Sequence, residues 1–158
     1  MTHTERHFMA DNVILTVENG ITYETSCGAV VYTYENGVRK YVIIQSLEGY
    51  HGFPKGHITE GETEHETALR EILEETSLRP TLIDGFRAVD EHPLPKKPDV
   101  TKRVVYFLAE YTDQAIVPQA EELREARLMT YGEAMASFEF DSPGRVLSEA
   151  EAFLNSRN

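Results

Sequence analysis

The sequence predicts a mixed β-sheet with helices on both sides. Three observations predict it. The tripeptide Glu-Asn-Gly occurs twice, at residues 18–20 and 35–37, each time between β-prone runs. Asn-Gly in that setting is a strong hairpin signal, because both turn positions need positive φ. An amphipathic segment, Thr63 to Thr76, stands between the strand-rich halves. The resulting order of strands, helix, strands, helix argues against a regular βα alternation.

The elements follow in chain order. Residues 1–12 carry no periodicity and read as a loose tail, leaving 13–158 as a single domain. Val13 to Val17 and Ile21 to Thr25 flank the first turn; Gly28 to Tyr34 and Tyr41 to Gln45 flank the second. Ser46 to Ile58 holds three Gly and one Pro and reads as a loop. Thr63 and Glu66 have capping-box spacing at the start of the helix. Arg79 to Val89 reads as a strand, and Glu91 to Asp99, with three prolines, as a second loop. Thr101 to Tyr111 is the strongest strand; its centre, Val104 to Leu108, is apolar on both faces, as in a covered central strand. Arg124 to Thr130 is a short strand and Tyr131 to Phe138 a short helix. Ser142 to Asn155 places Val146, Leu147, Ala150 and Leu154 at helical spacing.

Composition bounds the function. A chain of 158 residues fits one domain and buries roughly 70% of its unfolded surface. With 27 acidic residues against 15 Lys and Arg, the formal charge is -12, which repels phosphate backbones and speaks against DNA or non-specific nucleic-acid binding. An anionic substrate then needs a metal or a local basic cluster. One cysteine, Cys27, excludes an intrachain disulfide and falls in a strand, where it reads as core. No apolar run reaches the ~20 residues of a membrane span, and Met1 to Asn12 lacks the apolar stretch of a signal peptide. The expectation is a soluble cytoplasmic protein, with no sequence signal to separate a monomer from a small homo-oligomer.

On a helical wheel, Ala68, Leu69, Ile72 and Leu73 form the core face of the first helix. Glu71, Glu74 and Glu75, at i, i+3 and i+4, form an adjacent arc, so their side chains converge. Taken alone, such a run reads as a solvated acidic face. Pointed at one spot, it suits a hard divalent cation such as Mg²⁺, which takes oxygen ligands and keeps waters and phosphates in its shell.

The context decides between these. Gly56, five residues, Glu62, seven residues, Arg70-Glu71-Ile72, one residue, Glu74-Glu75, one residue and Ser77-Leu78 resembles the Nudix box, departing from it only at Ser77, where the family has Gly. The resemblance implies an α/β/α sandwich and a Mg²⁺- or Mn²⁺-dependent hydrolase of a nucleoside diphosphate linked to another group, with water attacking phosphorus. It implies Glu71, Glu74 and Glu75 as metal ligands, with the carbonyl of Gly56, and Arg70 and Glu62 as the pair that orients the carboxylates.

Three further stretches narrow the likeness. Phe53-Pro54-Lys55-Gly56-His57, Lys102 to Glu110, and Phe140 ahead of Glu149 to Leu154 are similar to the asymmetric diadenosine tetraphosphate hydrolases. That likeness implies Lys55 and Lys102 as phosphate contacts and Phe140 as the ring that stacks adenine. His57 can donate to a phosphate or fix its loop. Tyr106 shares a strand face with Lys102 and is a second aromatic candidate, although a mid-strand ring reads as core. Glu122 fits the family's carboxylate from outside the box, as ligand or base, but Leu123, Ala126 and Leu128 depart from the residues that usually follow. Independently of the likeness, Lys96, Lys97, Lys102 and Arg103 cluster against one acid, Asp99, which suits an anion site or a solubilising loop.

No two histidines have zinc spacing on a helix, and no Ser–His–Asp or Cys–His arrangement stands out. The leading reading is a small-nucleotide hydrolase cutting diadenosine tetraphosphate to ATP and AMP. The alternatives are another Nudix substrate (a nucleoside triphosphate, an inositol pyrophosphate or an RNA 5′ end) or a nucleotide-binding module without catalysis.

Overall fold

The computed structural model describes residues 5–10 and 13–157. Ten strands form one mixed sheet: β1 (Glu5–Ala10), β2 (Val13–Glu18), β3 (Ile21–Glu35), β4 (Val38–Ser46), β5 (His51–Gly52), β6 (Lys55–His57), β7 (Thr81–Leu82), β8 (Ala88–Leu94), β9 (Lys97–Glu110) and β10 (Leu123–Thr130). The helices are α1 (Glu64–Thr76), α2 (Tyr131–Ser137) and α3 (Asp141–Asn155).

β3 organises the sheet. One edge runs parallel to β9 from Thr22↔Val100 to Tyr32↔Glu110. The other edge receives three antiparallel partners in turn: β2 over Ile21 to Glu24, β6 over Ser26 to Gly28, and β4 over Tyr32 to Glu35. Alternation along the strands then sorts side chains between the two faces. Cys27, Ala29, Val31, Val105, Phe107 and Ala109 pack with Ala68 and Ile72 of α1. Val30, Tyr32, Val104 and Leu108 pack with Val146, Leu147, Ala150 and Leu154 of α3 and Ala134 of α2. The result is the α/β/α sandwich and mixed sheet that the element order predicts.

Both Asn-Gly turns form, with φ of 51° and 82° at Asn19 and Gly20 and 52° and 79° at Asn36 and Gly37. The capping box of α1 forms as its spacing predicts: Glu66 N–H donates to Thr63 Oγ1 and Thr63 N–H to Glu66 Oε1. Five expectations are corrected. Glu5–Ala10 is not a loose tail but an edge strand in register with β2, because backbone pairing supplies what its own pattern lacks; residues 1–4, 11 and 12 lie outside the described residues. The strand expected over 79–89 is interrupted by a turn at Asp84-Gly85, with φ of 98° at Gly85. The loop expected over 91–99 is a hairpin of β8 and β9 turning at Pro95-Lys96. Pro93 is tolerated there because β8 is an edge, and Pro98 because it precedes the pairing of β9 with β3 at Val100. The stretch 46–58 contains β5 and β6. On α1 the fully buried residues are Thr67, Ala68, Ile72, Glu75 and Thr76, while Leu69 and Leu73 are half-buried, so the core face is turned toward Glu75. Among the described residues no helix is long and apolar enough to cross a membrane.

Ser77 ends α1 in the left-handed region, φ 67°, with its N–H on Leu73 O. A side chain at such a φ is strained, while the hydroxyl recovers something by donating to Val117 O at 3.2 Å. Ser77→Gly should therefore be neutral or stabilising, by at most about 1 kcal/mol. A thermal melt that falls by several degrees would show the hydroxyl to matter more than the strain.

Candidate active site

The site is built where β6 meets α1. Pairing of Ser26–Gly28 with Lys55–His57 leaves no room for side chains at two glycines. A Cβ at Gly28 would strike Pro54 O and Lys55, and one at Gly56 would fall inside the Glu71 carboxylate. Gly56 is thus the position where backbone approaches the acidic arc of α1 directly.

The carboxylates of that arc differ in environment. Glu74 is exposed, Glu71 is largely covered, and Glu75 is 8% exposed with Oε1 accepting from Lys55 N–H at 3.2 Å. Burial first, then the charge of Glu71, pushes Glu75 up to about 8. Burial also raises Glu71, against the pull of Arg70. Arg70 ties the cluster together. Its Nε and Nη2 donate to Glu62 at 2.6 and 3.0 Å, its Nη1 to Glu71 at 2.8 Å and Glu74 at 3.1 Å, and its Nη2 also to His57 O at 3.0 Å. The Arg70 bonds hold Glu62 down at about 2. The pairing of Arg70 with Glu62 expected from the sequence is present in this geometry.

Among the described residues no three Asp, Glu, His or Cys side chains are already gathered around one point to hold an ion. Arg70 Nη1 bridges Glu71 and Glu74 instead. The donor set nevertheless fits a hard divalent cation. It is all oxygen, two of its three carboxylates are held out of water, and both are raised by burial and mutual repulsion that a cation would relieve.

Glu122 lies on the connection before β10, exposed, where Gln119 N–H donates to Glu75 O at 3.0 Å and so pins the segment to the end of α1. Glu122, Glu75, Lys55, Tyr50, His51 and Phe53 line a cleft of about 290 Å³. A larger hollow of about 590 Å³ lies beneath β2, lined by Thr16, Glu18, Thr25 and Arg103, and meets the carboxylate cluster only at Glu62. Of the two, only the smaller is lined by Glu75 of the acidic arc.

The remaining residues singled out from the sequence separate into those at the surface and those inside. Lys55 lines the cleft. His57 Nε2 lies 3.2 Å from Glu24 Oε2. Lys102 is buried and donates to Ser26 Oγ at 2.7 Å and Glu24 Oε2 at 3.3 Å, so its ammonium is engaged within the protein. Tyr106 is 6% exposed, its ring against Phe53, and offers no face to a nucleotide; the alternation that puts Val104 and Leu108 in the core puts it there too. Phe140 is 60% exposed, so it is not a core ring. It sits 5.1 Å from Tyr50, centroid to centroid, and next to it in sequence Glu139 Oε1 accepts the His51 backbone N–H at 2.8 Å. Sequence reasoning missed Tyr50 and Glu24. Tyr50 had a signal, an aromatic in a polar stretch just before Phe53-Pro54-Lys55. Glu24 had none, since only the β3–β9 register brings it to Lys102.

Residues 25–149 match the NUDIX domain, and the chain belongs to that family; it is a Nudix hydrolase. Among its relatives is the mouse bis(5'-nucleosyl)-tetraphosphatase [asymmetrical], 32% identical over 141 residues, which cover 82% of this chain and 94% of the relative. The fold is also that of the Caenorhabditis elegans Ap4A hydrolase in a binary complex, with a TM-score of 0.77 at 22% identity over 84% of this chain and 98% of that one. The NUDIX domain of Shewanella oneidensis NrtR complexed with ADP ribose follows at a TM-score of 0.67 and 20% identity, over 82% and 87%.

A raised carboxyl has a defined effect on stability. Glu75 binds its proton more tightly folded, at about 8, than unfolded, near 4.5. The stability it contributes is therefore complete below about 4.5 and is lost as pH rises through 8. In chelator, Glu75→Gln should raise the melting temperature relative to the parent at pH above 8, and the gain should shrink toward acid. A difference independent of pH would contradict the burial argument.

Proposed function

We propose that this Nudix hydrolase cuts diadenosine tetraphosphate unsymmetrically, to ATP and AMP, with Mg²⁺ or Mn²⁺ as its cofactor. The observation that carries the reading is the cleft itself: buried Glu75, cationic Lys55 and Tyr50 line it, and Tyr50 packs against the exposed ring of Phe140. A polyphosphate with a base at its end needs those two chemistries at a distance. The identity shared with the mouse tetraphosphatase over most of both chains supports the same substrate class.

Glu71, Glu74, Glu75 and the Gly56 carbonyl would hold the cation. Bound there, it neutralises the bridging phosphates and lowers the pKa of a coordinated water. The chain's own residues do the rest. Arg70, anchored by Glu62, holds Glu71 and Glu74 in place until they are needed as ligands. Lys55 attracts the phosphates toward Glu75. A water oxygen bonds to phosphorus as the anhydride bridge breaks, and Glu122, facing the same cleft, acts as ligand or takes the water's proton. Phe140 stacks a base. The balance is one water consumed per bridge broken.

Incubation with a panel of nucleotides and either cation, followed by chromatography, tests the reading. Diadenosine tetraphosphate should yield equimolar ATP and AMP; two ADP, or preferential cleavage of ADP-ribose or an inositol pyrophosphate, would overturn it. Chelation should abolish turnover. Glu75→Gln should lower kcat by at least ~100-fold, as for other lost electrostatic stabilisers.

Phe140→Ala should remove stacking worth about 1–3 kcal/mol, read as a raised KM. Its melting temperature should hardly move, because a ring already 60% exposed leaves no cavity, whereas a buried Phe costs about 3–5 kcal/mol.

A further inference from the structure

Away from the acidic arc of α1, charged side chains converge again around Glu24. It lies on β3 directly opposite Lys102 of β9, two residues before Ser26, and is 6% exposed. Lys97 Nζ reaches its Oε1 at 3.0 Å; Lys102 Nζ and His57 Nε2 reach its Oε2 at 3.3 and 3.2 Å. Burial alone would raise this carboxyl, but Lys97, His57 and Lys102 together pull it down to about 2, so it is ionised at any ordinary pH. Lys102 goes the other way: burial and the charge of Lys55 press it down to about 8, and Glu24 opposes them.

The cluster thus gathers Lys97, Lys102 and His57 around a single anion, with the charge of Lys55 acting on Lys102, in a protein whose net charge is -12. It adjoins the cleft, since Lys55 and His57 flank Gly56. Its outer members, Lys97 and His57, are partly exposed, while Lys102 and Glu24 lie beneath. A carboxylate that takes two ammonium groups and an imidazole has the surroundings of a bound phosphate.

We propose that Glu24 is a specificity-determining residue, an internal anion that holds Lys97, Lys102 and His57 in the place a distal substrate phosphate takes. An incoming group must outcompete a carboxylate already bonded by these three partners. A monoanionic group fails; a chain of several phosphates succeeds. The proposal rests on the reading of Lys55 and Lys102 as phosphate contacts, and assigns to Glu24 the selection for chain length.

The test uses inorganic tripolyphosphate, binding to the full chain in calorimetry at a pH below 8, where Lys102 is charged. Glu24→Gln should bind it on the order of 10-fold tighter than the parent, because one screened unit charge is removed from the subsite. Pyrophosphate should gain at least as much, because the barrier that holds out the shorter chain is gone; a smaller gain than tripolyphosphate would overturn the selection for chain length. Equal or weaker binding by the folded variant, or no binding by either protein, overturns the proposal. A second measurement needs no variant: the Glu24 carboxyl carbon resonance should move as tripolyphosphate saturates the parent, and a resonance that stays fixed during binding also overturns it. The probe holds no nucleoside, so failure to cut diadenosine tetraphosphate would remove the substrate reading without touching this result.

Discussion

The site depends on a three-residue stretch of backbone pairing. Ser26, Cys27 and Gly28 take Lys55–His57 as a short antiparallel partner in the gap that β2 and β4 leave along one edge of β3. That pairing aims Gly56 at Glu71, delivers Lys55 N–H to Glu75, and turns the His57 carbonyl toward Arg70. It works only because neither Gly28 nor Gly56 carries a side chain. A methyl group at Gly28 would meet the backbone of Pro54 and Lys55, which cannot yield, and one at Gly56 would drive the Glu71 carboxylate from its place.

Charge is sorted into two neighbouring clusters of opposite pattern. Around Arg70, one cation serves Glu62, Glu71 and Glu74; around Glu24, one anion serves Lys97, Lys102 and His57. Each lone charge keeps a repulsive set together that would otherwise push apart or neutralise. Glu75 belongs to neither cluster and has only a backbone donor. It is accordingly the carboxyl most strongly raised, and the one with most to gain from a cation.

The layers and the acidic arc were legible because they rest on local rules. Asn-Gly forces a turn, Thr63 with Glu66 caps a helix, and i, i+3, i+4 spacing gathers Glu71, Glu74 and Glu75. What sequence could not show depends on pairing across distance. Glu5–Ala10 is a strand only because β2 offers an edge. The prolines of 93–98 suggested a loop, yet an edge strand and an unpaired strand start accommodate them. The bonds of Lys102 to Glu24 and Ser26 come from a register that no local pattern encodes. Phe140, which the likeness implies as a stacking ring, lies open beside Tyr50.

The parallel pairing of β3 with β9 has a kinetic consequence. Its partners, such as Thr22 and Val100, lie 78 residues apart, and the intervening chain contains β6 and all of α1. Closing so large a loop is entropically slow and is repaid only when the sheet assembles. The β3 segment that seats β6 and α1 therefore gains its parallel partner only after the chain has been made as far as β9, so the floor beneath the carboxylates is completed later than the helix that carries them.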